Sequence, residues 1–171
     1  MNTNLMLLGL FKWFYLSILF VVFCYGCYHF IRNRLKKQYN QDALEMGGTI
    51  VIGALIFSSA AVIYPTSDAL SQAFQLFSKQ TTGSQLALSL IQFAGYALVI
   101  SLINFLLLLM VSSVTTRILH RESYLEIASK NDLPGSLLFA VIIICLAILS
   151  IDSITYMLDA LLPYPALPGF R

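Results

Sequence analysis

Four apolar runs free of Asp, Glu, Lys and Arg dominate this chain: Trp13 to Ile31, Met46 to Tyr64, Gln85 to Thr116 and Leu133 to Ile151. A helix needs about 20 apolar residues to cross the hydrocarbon of a bilayer. A soluble bundle hides one such run, but hardly four. The pattern therefore predicts an all-α membrane protein with four transmembrane helices. Composition agrees: 58% of the residues are hydrophobic and 11% charged, about half the charged share of a soluble domain. The mean hydropathy is +0.81. At 171 residues, one integral membrane domain over 1–171 is expected. The first run is expected to stay in the protein as a span. Met1 to Phe11 carries no charge, and the run ends in aromatics and Arg32 instead of a small-residue cleavage site.

Orientation follows from the basic residues. Arg32, Arg34, Lys36 and Lys37 follow span one, and Arg117, Arg121 and Lys130 follow span three. The other side holds Lys12, Lys79 and Arg171. The two basic segments are expected to act as cytoplasmic anchors, which puts both termini of a multi-pass bacterial inner-membrane protein in the periplasm. The net charge of +2 is too small to suggest nucleic acid.

A shift of 87 residues lays Gly48-Thr49-Ile50-Val51 on Gly135-Ser136-Leu137-Leu138, Ala60 on Ala147 and Arg34 on Arg121. This suggests two helical hairpins in parallel orientation, with repeat halves of about 11–78 and 98–165. Each hairpin is followed by a short amphipathic stretch. Leu70, Phe74 and Phe77 share one face after span two, and Met157, Leu161 and Tyr164 share one after span four. These stretches are expected either to lie in the interface as short helices or to pack on the bundle. Pro163, Pro165 and Pro168 argue for an extended tail.

The polar groups inside the spans are uncharged. Gln92, Ser101 and Asn104 of span three need hydrogen-bond partners in lipid, which bonds between helices would supply. Thr49, Gly53, Ala54, Ser58 and Ala61 give span two small side chains that allow close backbone contact, a helix-packing interface within the chain or between subunits. Cys24 and Cys27 form a C-x-x-C, but with no second ligand pair they read as small apolar residues on one helix face. His29 and His120 sit near the ends of the odd spans. Such a pair can ligate haem, yet interfacial or packing roles are the preferred reading, so no cofactor and no metal are expected. No phosphate loop, H-E-x-x-H, nucleophile elbow or intramembrane carboxylate pair is present in the sequence. Enzymatic activity is not expected.

The segments Gly47-Gly48-Thr49 through Ile63-Tyr64-Pro65-Thr66, and then Ile91-Gln92-Phe93-Ala94-Gly95-Tyr96, resemble the small IcmC/DotE–TraQ membrane subunits of type IVB secretion and conjugation systems. Arg117 departs from that pattern, because it follows an unbroken apolar run. The layout, with a polar link such as Ala128-Ser129-Lys130-Asn131-Asp132 before an even span, is also similar to the YjfL-like four-span proteins. The first resemblance implies a non-enzymatic subunit of a secretion or conjugation assembly, in homo- or hetero-oligomeric contact with other membrane subunits and with lipid. The alternative expectation is a small oligomeric channel or transporter, with span three beside the path.

Overall fold

Each apolar run lies within one long helix. The computed structural model describes residues 3–39, 45–80 and 84–162. Its elements are α1 (Thr3–Tyr39), α2 (Met46–Gln80), α3 (Ser84–His120), the short α4 (Tyr124–Ser129) and α5 (Leu133–Asp159). The four long helices are apolar enough and long enough to cross a membrane. At 1.5 Å per residue, α1 to α3 measure roughly 52–56 Å, against about 30 Å of hydrocarbon, so they extend well beyond it. The stretch from Arg32 to Tyr39 contains no Gly or Pro and is rich in Arg, Leu, Lys and Gln, good helix formers that carry α1 past its apolar run.

Two expected boundaries are corrected. The helix of span two does not end at Pro65, since α2 runs through that proline to Gln80. An interior proline costs a helix about 3 kcal/mol. Continuing past it buries Thr66, Ala69, Leu70 and Ala73 and packs Phe74 and Phe77 against the core. The expected interfacial helix after span two is thus the end of α2. Likewise α5 continues through Asp152 to Asp159, and Met157 belongs to that helix. Tyr164 and the prolines at 163, 165 and 168 lie outside the described residues.

The core is built around α2. It packs most extensively on α5, and also on α1 and α3, while α3 packs on α5 as well. Over the apolar windows 56% of α2 is buried but only 11% of α1, which marks α2 as the centre and α1 as the outrigger. Small residues let the helices approach: Gly47, Ala54, Ser58, Ser59 and Ala73 are buried on α2, and Gly135, Ser136, Ala140 and Ala147 on α5. In lipid such close packing, rather than burial from water, is what holds helices together.

The inner pair matches more closely than the sequence alone indicated, at a shift of 88 residues rather than 87. Every buried residue of α5 has a buried counterpart on α2: Gly135 and Gly47, Phe139 and Val51, Ile143 and Leu55, Ala147 and Ser59, Thr66 and Ile154, Leu70 and Leu158, with Ser136 and Ala140 on Gly48 and Ile52. At that shift Leu19, Phe23 and Ile31 of α1 are buried while Leu107, Val111 and Leu119 of α3 are exposed, but at a shift of 89 Leu19, Phe23 and Cys27 fall on the buried Leu108, Ser112 and Thr116.

Candidate functional site: a polar junction at the basic end

The C-terminal ends of α1 and α3 converge on α4, which also touches α2 and α5. Arg32, Arg34, Lys36, Lys37, Arg117 and Arg121 therefore gather at one end of the bundle. The sequence builds the junction locally. α3 stops at Arg121, whose φ of 62° is left-handed and breaks the helical path. Ser123 then opens α4, its hydroxyl accepting a hydrogen bond from the Glu126 amide at 3.3 Å. Asn131 is also left-handed, at φ 52°, a conformation asparagine tolerates better than most residues. The Asp132 amide donates back to the Ile127 carbonyl at 3.1 Å, closing α4 in a Schellman turn.

That turn aims three side chains. The Asn131 Oδ1 accepts from the Gly47 amide at 2.8 Å, capping the start of α2. His120 Nε2 meets Asp132 Oδ2 at 2.6 Å, tying the end of α3 to the start of α5. Lys130 Nζ lies 2.6 Å from Glu122 and 3.0 Å from Glu126. Gly135 sits beneath the histidine–aspartate pair: a Cβ there would come within 3 Å of both Asp132 Oδ2 and His120 Nε2. The hydrogen bond from His120 holds the Asp132 carboxyl below the ordinary aspartate range. The bonds to Glu122 and Glu126 raise the Lys130 ammonium above its usual value. Burial pushes the Tyr124 hydroxyl up, and the nearby Arg34 charge opposes this.

Ligand atoms of His120, Glu122 and Asp132 lie within 4.8 Å of one another, so one nitrogen and two oxygens stand close enough to face a cation. In the structure each already has a partner, with Asp132 on His120 and Glu122 on Lys130. The arrangement thus works as a clasp joining α3, α4 and α5. A depressed carboxylate pKa contributes stability that is full above the ordinary aspartate value and is lost as the pH falls through the lowered one. Asp132→Asn is accordingly expected to lower the melting temperature at neutral pH, with the gap to wild type closing below about pH 4. A gap that persists unchanged into acid would contradict the clasp.

Comparison with protein-family models, with curated proteins and with solved structures finds no match to this chain.

Of the span-two residues singled out in the sequence, Ala54 and Ser58 are buried and Ala61 is half-buried, whereas Thr49 and Gly53 face outward. In span three Ser101 is fully buried with an unbonded hydroxyl, Asn104 is half-buried, and Gln92 is exposed. The Asn104 amide donates to Ile100 O at 2.9 Å and reaches Met157 Sδ at 3.6 Å. Most hydroxyls in the spans bond their own helix: Ser58 to Ala54 O, Thr66 to Ile63 O, Ser112 to Leu109 O and Thr116 to Ser112 O. Back-bonding of this kind satisfies a polar side chain without a neighbouring helix. Of the residues expected to bond between helices, Asn104 reaches Met157 of α5 and the Ser101 hydroxyl has no partner. Two side-chain bonds do cross between helices on the far side, from Tyr15 to Ala94 O at 2.7 Å and from Lys12 to Ser71 at 3.1 Å. Of the histidines, His29 contacts Asn33 at 2.8 Å on its own helix and stacks on Tyr25, while His120 joins the clasp.

The sequence reading missed α4 and the clasp. Ser123-Tyr124-Leu125-Glu126 fits the capping-box pattern, and Asp132 two residues before Pro134 fits a helix start. Both signals lay in a segment read only as a polar link.

Proposed function

We propose that the chain is a non-enzymatic four-span subunit of a bacterial inner-membrane assembly, with both termini periplasmic; its sequence resemblance makes a type IV secretion or conjugation apparatus the kind of assembly to test. The observation that carries this reading is the outward stripe on α2. The most buried span still exposes Thr49, Gly53, Phe57, Ala60 and Tyr64 along one side, and nothing lies within 4 Å of where a Gly53 Cβ would stand. Small residues at that spacing let a second helix approach closely. The thin attachment of α1 supports the same reading, because a helix held along one stripe leaves the rest of its surface to lipid or other subunits.

Gly53→Leu is expected to convert the assembly extracted in mild detergent to single chains, read as particle mass by light scattering, while the helical content stays the same. A wild-type protein that is already monomeric, or a variant that assembles normally, would overturn the proposal. The matching burial of α2 and α5 further supports descent from a duplicated hairpin.

One observation favours a channel or transporter instead: the buried, unbonded Ser101 hydroxyl lies on the same helix as Gln92 and Asn104. Under the subunit reading, Gln92→Leu with Asn104→Leu leaves ion and solute flux in liposomes unchanged. Wild-type flux abolished by the double variant would establish the channel.

A further inference from the structure

The bundle is open between α1 and α3. Long side chains bridge the two helices, with Phe23 edge-on to Phe105 at 5.3 Å between ring centroids and Tyr15 reaching Ala94. From the Phe23–Phe105 prop toward the basic end runs an apolar cavity of about 290 Å³, walled by Phe23, Gly26 and Leu102, floored by Leu55 of α2 and bordered near the basic end by Tyr124 of α4. Gly26 makes the space, since nothing stands within 4 Å of where its Cβ would be.

Size and depth narrow the occupant. Along α1 the lining runs from Val22 to Ile31, about 14 Å of helix, close to the roughly 15 Å of one leaflet's hydrocarbon. A helix 10 Å across and that long would fill on the order of 1,100 Å³. The cleft is far too narrow for one, but it has the width of an alkyl chain.

The charge at its mouth narrows it further. The Arg34 guanidinium sits 5.5 Å from the centroid of Phe30, and its charge reaches Tyr124; both rings line the cavity. Arg34 is exposed and meets no carboxylate among the described residues. Lys37, one turn on, shares with it the hollow on the other side of Phe30. An apolar slot one leaflet deep thus ends beside a guanidinium that meets no carboxylate among the described residues, the group best shaped to fork onto a phosphate.

We propose that this cleft binds an anionic phospholipid, with one acyl chain between α1 and α3 and the phosphate held at Arg34. The site holds whichever side of the membrane the basic end faces, and it does not depend on the subunit reading.

The test uses the full chain reconstituted in phosphatidylcholine vesicles, with trace chain-labelled phosphatidylglycerol or phosphatidylcholine followed by electron paramagnetic resonance. Wild type should immobilise severalfold more phosphatidylglycerol than phosphatidylcholine. Arg34→Gln should bring the two lipids level, whereas Arg32→Gln, whose guanidinium turns to Tyr28 at 3.4 Å, should keep most of the selectivity. Gly26→Leu should remove the immobilised component for both lipids. Equal immobilisation by wild type, equal losses from Arg32→Gln and Arg34→Gln, or an unchanged spectrum in Gly26→Leu would each overturn the proposal. So would a fall in particle mass in Gly26→Leu with lipid selectivity kept, which would make the cleft a seat for a protein partner. Arg34 lies outside the packed core, so its variant keeps the test decisive if Gly26→Leu fails to fold.

Discussion

Replacing Gly47 with leucine is expected to separate α2 from α5 at the basic end and to lower stability by about 3 kcal/mol. A Cβ at this position would stand 2.9 Å from Ser136 Oγ and 3.2 Å from the Asn131 Cα. The second contact is decisive, because a hydroxyl rotates aside but a backbone held in a Schellman turn does not. Forcing bulk into a close-packed contact costs about 1–3 kcal/mol. Losing the 2.8 Å bond from the Gly47 amide to Asn131 adds roughly 1 kcal/mol. At about 2–4 °C per kcal/mol for a chain of this size, the melting temperature in detergent should fall by roughly 6–12 °C. Gly95→Leu is the control, since nothing stands within 4 Å of that site on α3. It should move the melting temperature by no more than a degree or two. Equal effects at the two glycines would mean that the α2–α5 crossing is not where the bundle is tightest.

Phe139→Ala is the second large effect, and the membrane changes how its size is argued. The ring is fully buried and stacks on Tyr124 with centroids 5.2 Å apart. In a soluble core the loss would include transfer of the ring from water. Here the separated helices are also in lipid, so mainly the packing contribution remains. A void of about 100 Å³ at 24 cal/mol per Å³ gives about 2 kcal/mol, and the lost ring pair adds about 1 kcal/mol. Unfolding in mixed micelles should show a loss of roughly 3 kcal/mol, and the amides of α4 should exchange faster because Tyr124 loses its platform. Tyr156→Ala, at a position 75% exposed on the same helix, should change neither. Slow exchange in α4 despite Phe139→Ala would show that the clasp alone holds that helix.

These two sites mark the limit of what was legible in the sequence. The four spans were legible because hydrophobicity over twenty residues is a strong signal, and the structure places a long helix on every apolar run. Helix ends were not, because the cues compete: Pro65 reads as a stop, but Leu70 and Ala73 beyond it gain full burial by continuing. On α2 the small residues of the sequence divide between two faces. Ala54 and Ser58 turn inward as small residues do at helix contacts, but Thr49 and Gly53, the latter directly before Ala54, turn outward. Spacing cannot tell two small-residue stripes apart when both could pack. The clasp was hidden for a different reason. His120 and Asp132 are 12 residues apart, and only the two left-handed residues between them, Arg121 and Asn131, bring their side chains together. The open cleft between α1 and α3 depends on which helices fail to touch, and no sequence pattern encodes that directly.

Membrane crossing in this arrangement is the claim on which the rest depends, and its topology can be measured directly. Single cysteines at Ser84, the first residue of α3, and at Glu122, in the clasp, would be placed in a variant lacking Cys24, Cys27 and Cys145, and intact cells would be treated with an impermeant maleimide. The account expects Ser84→Cys to be labelled in intact cells and Glu122→Cys only after the inner membrane is opened. Labelling of both from the same side would contradict a crossing by α3, and the reverse pattern would invert the orientation assigned from the basic residues.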